Sequence, residues 1–233
     1  MRDNREIAFG CGLLLLAMAT GVSAAQSENA LIAAAKAQDH AAVTALVAGH
    51  ENVNVSQPDG ATALHWASYW DALDTALVLL DAGAEANAVN DYGVTPLALA
   101  CDNGSAAMVT RLLQGGADPN VVRSTGETPV MTCARTGNLA AVDALLTYGA
   151  ELSGTDTLYG QTALMWAAGE GHAEVARLLV TRGADVQART SGGYTALLIA
   201  VREDERDLAG LLLDAGADVN ASAPDGTTAL LVA

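Results

Sequence analysis

The sequence predicts an all-α repeat solenoid, in which short helix-turn-helix units stack side by side. The first observation is a Gly-x-Thr frame that returns six times at steps of 33 or 34 residues. The frames are Gly60/Thr62, Gly93/Thr95, Gly126/Thr128, Gly160/Thr162, Gly193/Thr195 and Gly226/Thr228. The second observation is that two apolar runs of helical length follow each complete frame. A unit this short cannot bury its apolar side alone, so neighbouring units must stack to form one continuous core.

The threonine of each frame is predicted to begin the first helix of its unit. In Thr95-Pro96-Leu97, a hydroxyl group precedes a proline and an apolar run. The threonine oxygen can accept a hydrogen bond from an unpaired N–H of the first turn, and proline at the first helical position loses no hydrogen bond. Thr128-Pro129 repeats this pair, and alanine, a strong helix former, follows the threonine in the other four frames.

Glycines are predicted to end the helices, because glycine readily adopts the left-handed conformation of helix C-termini. The second apolar run of the fifth unit, residues 175–180, is followed by Gly183. Equivalent glycines close the other units: Gly83, Gly116, Gly149 and Gly216. A further glycine marks the turn between the two helices at Gly104, Gly137 and Gly171, but Asp71 takes this position in the second unit.

The period divides residues 25–233 into a cap-like first unit, five full units and a partial seventh unit. The boundaries are near 27–57, 58–90, 91–123, 124–157, 158–190, 191–223 and 224–233. One extra residue falls in the loop between Glu151 and Gly160. Because the seventh unit stops inside its predicted first helix and leaves an apolar face bare, we expect a longer protein or end-to-end self-association through this end.

The chain resembles the ankyrin repeat family in its 33-residue period, its Thr-Pro-Leu openings and its Gly-Ala-Asp or Gly-Ala-Glu endings. The resemblance implies stacked ankyrin units joined by β-turn or hairpin loops. It also implies that His65, three residues after Thr62, is a framework residue that hydrogen-bonds the neighbouring unit. His172 matches the consensus turn between helices, and His40 and His50 belong to the cap-like unit.

The first 24 residues have the pattern of a secretory signal peptide. Residues 7–22 carry no charge, follow Arg2 and Arg5, and precede the small residues at 23–25, with cleavage predicted after Ala24 or Ala25. An uncleaved membrane anchor is the alternative, but this stretch is shorter than the ~20 residues that span a bilayer. We therefore expect an exported protein, periplasmic or extracellular, without stable membrane insertion after cleavage.

The chain is strongly acidic. It contains 11 Lys and Arg against 27 Asp and Glu, a formal charge of −16, and residues 1–24 hold two of each sign, so their removal leaves this charge unchanged. Such a surface repels nucleic acid and anionic lipid. The acidity is explained either by the solubility of a solenoid rich in alanine and leucine or by a basic protein partner.

The sequence indicates no catalytic, cofactor or metal site. It lacks Gly-x-Ser-x-Gly, Cys-x-x-Cys and His-Glu-x-x-His motifs, and nearly every residue is explained as repeat framework. The acidic run 203–205, flanked by Arg202 and Arg206, is expected to be a solvated charge cluster. We expect a non-catalytic protein interaction module; the alternative is a targeting or regulatory region whose enzymatic or effector domain lies beyond residue 233.

Cys101 and Cys133 take nearly the same position in neighbouring units. A bridge between them is conceivable, but side-by-side helices are ~8–10 Å apart, which favours two unlinked thiols.

The family resemblance implies a partner surface built from the loop tips and the first helices. The candidate residues flank the frame glycines or lie seven or eight residues after the threonines: Tyr69, Trp70, Tyr92, Val94, Asp102, Asn103, Glu127, Arg135, Tyr159, Gln161, Glu170, Tyr194 and Arg202. Tyr, Trp and Arg dominate binding hot spots. Tyr69 and Trp70 are the leading pair, unless their rings serve to cover the turn at Asp71. Trp66 and Trp166 are expected in the core.

Overall fold

The computed structural model describes residues 29–229, which contain twelve helices and no extended strand. The helices form six pairs: α1 Ala30–Lys36 and α2 His40–Ala48; α3 Ala63–Tyr69 and α4 Leu73–Asp81; α5 Pro96–Asp102 and α6 Ala106–Gln114; α7 Pro129–Thr136 and α8 Leu139–Thr147; α9 Ala163–Gly169 and α10 Ala173–Thr181; α11 Ala196–Arg202 and α12 Arg206–Asp214. The predicted all-α repeat solenoid is confirmed. The predicted signal peptide lies outside the described residues.

The helices pack in two layers. The first helices contact one another in the order α1, α3, α5, α7, α9, α11, and the second helices contact one another in the order α2, α4, α6, α8, α10, α12. One continuous cluster of buried apolar side chains runs between the layers, from Leu31 to Ala229. Within residues 29–229, no helix is both long and apolar enough to cross a membrane.

The frame threonines begin the first helices, as predicted. The hydroxyl oxygens of Thr95, Thr162 and Thr195 accept a hydrogen bond from the backbone N–H three residues later, at 3.2–3.4 Å. Thr128 also precedes its helix, but its buried hydroxyl has no hydrogen-bond partner within the described residues. The first helix therefore begins at the frame threonine even where this capping bond is absent.

The turn between the two helices is left-handed in every pair. The φ angle is 64° at Gly104, 74° at Gly137 and 71° at Gly171, and it is also positive where glycine is absent. These non-glycine residues are Gln38 at 58°, Asp71 at 54° and Asp204 at 59°. The turn at Asp71 thus has the same backbone form as the glycine turns, which removes the reason for Tyr69 and Trp70 to cover an altered turn.

His65 links the second unit to the third. It is fully buried, and its Nδ1 accepts the backbone N–H of Thr62 at 3.1 Å. The ring proton therefore lies on Nε2, which donates to the carbonyl of Val94 at 3.0 Å. This confirms the expected bond to the neighbouring unit. Burial lowers the pKa of His65, although the Val94 carbonyl and the charge of Asp59 act in the opposite direction.

The expectation of unlinked cysteines is wrong, because Cys101 and Cys133 form a disulfide. Their Cα atoms are 4.7 Å apart, within the range that a disulfide spans. The distance between helix axes misled the prediction, since a Cα atom on the facing side lies ~2.3 Å closer to its neighbour than the axis does. Small buried neighbours, Ala100 and Ala134, also occupy these two helices.

Loss of the disulfide is expected to destabilise the fold. Cys101→Ser combined with Cys133→Ser should lower the free energy of unfolding by about 2–4 kcal/mol, because the bridge restricts the unfolded chain across a long loop. Urea denaturation with and without a reductant measures the effect. A wild-type transition that does not respond to complete reduction would contradict this role, and the double variant is the control that should not respond.

His65 predicts a stability change near neutral pH. Because its pKa is lower in the folded than in the unfolded state, its contribution is complete above the unfolded value of about 6.5 and is lost as the pH falls through the folded value. Urea denaturation between pH 8 and 5 should show this loss. His65→Asn should remove that part of the pH dependence, whereas His50→Asn, at an exposed left-handed position, should retain it.

Candidate functional site

The inner surface of the stack comprises the solvent-facing sides of the first helices and the loop tips that precede the frame glycines. Residues at the same position in successive first helices face the same side. Seven residues after the frame threonine, this row consists of Tyr69, Asp102, Arg135, Gly169 and Arg202. Stacked repeats present extended binding surfaces of this kind, because each unit adds one row of side chains.

One end of the inner surface carries an aromatic cluster of Trp66, Tyr69 and Trp70. The ring centroids of Trp66 and Tyr69 are 5.9 Å apart and those of Tyr69 and Trp70 are 4.7 Å apart, both with edge-to-face geometry. Tyr69 is half-buried against Val94, Ala98 and Leu99 of the next unit, whereas Trp70 is 42% exposed. Tyr69 therefore packs the cluster against the next unit, and Trp70 is the ring that faces solvent.

Trp66 and Trp166 are half-buried at the inner surface, which corrects the expectation that they lie in the core. Each ring packs against the core with one part and meets a cation with another. Lys36 Nζ lies 4.9 Å from the ring centroid of Trp66, and the guanidinium carbon of Arg135 lies 5.5 Å from that of Trp166. The smaller Leu99 and Ile199 are buried at the same position, so the larger indole rings extend to the surface.

Val94 is unsuitable as a partner contact. The structure leaves it 7% exposed in a small apolar cluster with Ala98 and Leu99. Its carbonyl accepts the hydrogen bond from His65. The residue therefore belongs to the framework between the second and third units, which corrects the prediction made for it.

The middle of the inner surface holds an ion network of Asp102, Arg123, Glu127 and Arg135. Arg123 donates to Asp102 at 2.5 Å and to Glu127 at 3.4 Å, and Arg135 donates to Asp102 at 3.2 Å. Two positive and two negative charges thus neutralise one another across the third and fourth units. The predicted candidates Asp102, Glu127 and Arg135 meet here, and Arg123 is the member that sequence reasoning missed.

Asn103 lies beside this network and serves the fold. Its side-chain amide donates to the carbonyls of Ser68 and Tyr69, at 2.8 and 2.9 Å, at the end of α3. Tyr92 and Glu170, two further candidates, are both exposed.

The loop tip of the fifth unit contains the predicted extra residue. Gly160 donates its N–H to the carbonyl of Asp156, four residues earlier, at 3.1 Å. In the regular tips, the frame glycine bonds the residue three positions earlier, as Gly93 bonds Asn90 at 2.9 Å. The insertion therefore lies between Asp156 and Gly160. It leaves Leu158 72% exposed and Tyr159 59% exposed.

Asp156 holds this tip in one shape. Its carboxylate accepts the backbone N–H groups of Leu158, Tyr159 and Gln161 at 2.7–2.9 Å and the indole N–H of Trp166 at 3.3 Å. Burial alone would raise the pKa of Asp156, but these donors stabilise the carboxylate and hold its pKa below the usual value. The exposed apolar pair is therefore presented on a fixed backbone.

An open groove of about 350 Å³, which we call the tyrosine groove, begins at this tip. Its lining consists of Tyr159, Gln161, Thr190, Ser191, Gly192, Tyr194, Ile199 and Arg202. Four predicted candidates come together in it: Tyr159, Gln161, Tyr194 and Arg202. The guanidinium of Arg202 lies 5.9 Å from the Tyr194 ring, and its Nε donates to Glu203 at 2.9 Å.

Sequence reasoning missed Leu158 and Ile199 at this site. The apolar pair at an inserted tip was a usable signal for Leu158, because the other tips carry Pro, Asp or Ser two residues before the frame glycine. The sequence gives no such signal for Ile199, because an apolar residue four positions after the frame threonine matches the core pattern. The structure leaves this residue only 2% exposed.

Between residues 29 and 229, no three His, Cys, Asp or Glu side chains are placed to hold a metal ion. The acidic run at 203–205 lies at the turn before α12, where Asp204 accepts from Arg206 at 3.0 Å and both side chains are exposed. This is a solvated charge cluster, as predicted.

Comparison with known proteins shows the same repeat. The family model of ankyrin repeats (3 copies) matches residues 8–90, 78–156, 97–190 and 150–223. The crystal structure of the human ASB11 ankyrin repeat domain is 28% identical, with a TM-score of 0.78 over 88% of this chain and 91% of that one. The ankyrin repeat domain of Bcl-3, a member of the IkappaB protein family, is 26% identical, with a TM-score of 0.74 over 89% of this chain and 94% of that one. No curated protein gave a significant sequence match.

The role of Asp156 predicts a localised effect of its removal. Asp156→Ala should lower the free energy of unfolding by about 1–3 kcal/mol, because four partly buried N–H donors lose their acceptor. It should also speed hydrogen exchange at residues 158–161. Asp59→Ala is the matched control, since Asp59 accepts one backbone N–H, that of Ala61, in a regular tip. Equal and small effects of the two substitutions would contradict the special role of Asp156.

Proposed function

Because the chain belongs to the ankyrin repeat family, whose repeats are generally protein–protein interaction modules, we propose that it binds a protein partner on its inner surface and catalyses no reaction. The observation that carries the proposal is the meeting of Tyr159, Tyr194 and Arg202 at one groove beside the fixed tip. Tyrosine and arginine are residue types that dominate hot spots.

The form of this site suits binding. Leu158 and Tyr159 offer a large apolar area, and the hydrogen bonds to Asp156 have already ordered their backbone. A partner therefore gains apolar burial without the entropic cost of fixing a mobile loop. The tip is also tied to its neighbours, since Thr157 donates its N–H to Thr125 at 2.8 Å and Ser191 donates its N–H to Tyr159 at 2.7 Å.

We also propose that the protein is exported. The apolar stretch 7–22 with small residues at 23–25 supports this. The disulfide between Cys101 and Cys133 supports it independently, because structural disulfides persist in oxidising compartments. Mass spectrometry of the chain recovered from the periplasm or the medium should find an N-terminus at Ala25 or Gln26 and no free thiol. An intact N-terminus with Cys101 and Cys133 both present as free thiols would contradict export.

A pair of tyrosine variants tests the binding site. Tyr159→Ala should weaken partner binding at least tenfold, because it removes a central aromatic contact of about 2 kcal/mol. Tyr148→Ala is the matched control: Tyr148 is 45% exposed, against 59% for Tyr159, but it follows α8 in the other layer. Partners crosslinked to the full chain in its native source would be identified, and their affinities measured by calorimetry.

Thermal melts separate binding from folding. Both tyrosine variants should melt as the wild type does, whereas Leu164→Ala should be destabilised by about 2–5 kcal/mol through a core cavity. Leu164 is 1% exposed in the main core. If Tyr159→Ala binds the partner with wild-type affinity, the proposed site is wrong.

A further inference from the structure

We infer, on the basis of the proposed binding function, that the partner contributes a single extended, basic segment with two apolar side chains about 10–12 residues apart. One apolar side chain lies on the aromatic cluster of Trp66, Tyr69 and Trp70. The other lies in the tyrosine groove. The segment between them follows the inner surface across the ion network. Helix-to-helix steps of ~8–10 Å and the rise of an extended chain set this spacing.

Two separate places on the inner surface can receive an apolar side chain. At the first, Tyr69 rests on Val94, Ala98 and Leu99, and Trp70 stands exposed beside it. At the second, Tyr159 and Tyr194 line a groove that also contains Ile199. Trp66 and Ile199 lie four residues after their frame threonines, so both places are on the same side of the stack.

The distance between the two places sets the length of the segment. Four helix-to-helix steps separate α3 from α11, and a step of ~8–10 Å gives about 32–40 Å in total. An extended chain rises ~3.3 Å per residue and covers this distance in about 10–12 residues. One turn of a helix with its side chains, ~10–12 Å wide and ~5.4 Å long, takes up about 420–610 Å³, which is more than the groove volume of about 350 Å³. The two sites therefore fit an extended segment.

The arginines of the ion network and of the tyrosine groove are each paired with a carboxylate, whereas Arg189 in the sixth tip donates to the carbonyls of Gly193 and Ser222. Arg123 and Arg135 are paired with Asp102, and Arg202 is paired with Glu203. The segment can cross the network without having to neutralise an unpaired cation.

The carboxylates of the loop tips and first-helix ends leave a negative excess. Those without an ion pair among residues 29–229 are Asp59, Asp71, Asp91, Asp156, Glu170 and Asp225. Basic residues between the two apolar side chains would complement these charges, attract the segment over a distance and fix its orientation.

A displayed library of random 16-residue peptides, selected on the immobilised full chain, tests the inference. Selected peptides should be enriched in Lys and Arg and should carry two apolar residues about 10–12 positions apart. Fluorescence polarisation with a synthetic selected peptide should show at least tenfold weaker binding to Trp70→Ala and to Tyr159→Ala. Removal of either apolar residue from the peptide should weaken binding to a similar degree, and Tyr148→Ala should bind as the wild type does.

The outcomes separate this inference from the proposed function. Peptides that need Tyr159 but not Trp70, or that carry one apolar residue, overturn the two-site segment and leave the binding function intact. Enrichment of acidic peptides, or failure to select any peptide, also overturns the segment. Peptides that bind Trp70→Ala and Tyr159→Ala as tightly as the wild type overturn both this inference and the proposed site. Thermal melts of the two variants exclude misfolding as the cause of weak binding.

Discussion

The stacked fold depends on the burial of each unit's apolar side by the neighbouring units. The continuous core from Leu31 to Ala229 contains no boundary at which one unit is complete by itself. Hydrogen bonds then set the relative position of the units. Asn54, Asn87 and Asn120 repeat one such bond, in which the side-chain amide donates to the carbonyl of the glycine that closes the next unit, at 2.8–3.1 Å. The apolar contacts supply the attraction, and these polar bonds supply the register.

This asparagine pattern is interrupted just before the tip of the fifth unit. Ser153 stands where the preceding units have asparagine, and the loop that follows has gained one residue. Thr157 connects this tip to the preceding one: its N–H donates to the carbonyl of Thr125, as Asp91 does to Asp59 in a regular tip, and its hydroxyl adds a second bond to the same carbonyl. Asp156 then fixes the longer tip from within. A framework position is lost at this point of the stack, and an exposed apolar tip stands beside it.

The architecture could be predicted from the sequence because the residues that repeat are those that a particular local backbone conformation favours. A frame glycine and a capping threonine are required by local geometry, and that geometry does not depend on distant residues. Asp71 and Asp204 show the limit of this reasoning, since they adopt the glycine conformation without being glycine. The disulfide and the surface position of Trp166 depend on how closely two helices approach and how far a ring extends, which the repeat period does not encode.

The candidate binding surface was less predictable than the fold, for a related physical reason. Candidates chosen by position in the repeat divide into residues that serve the stack, such as Val94 and Asn103, and residues that face solvent, such as Tyr159. Position alone does not separate them, because the same register places a side chain near both the next unit and the solvent. The use of the side chain itself does separate them. Val94 is buried between two units, and the amide of Asn103 donates to the end of α3. The side chain of Tyr159, by contrast, is 59% exposed, and it is the backbone of this residue that is bonded, by Asp156 and by Ser191.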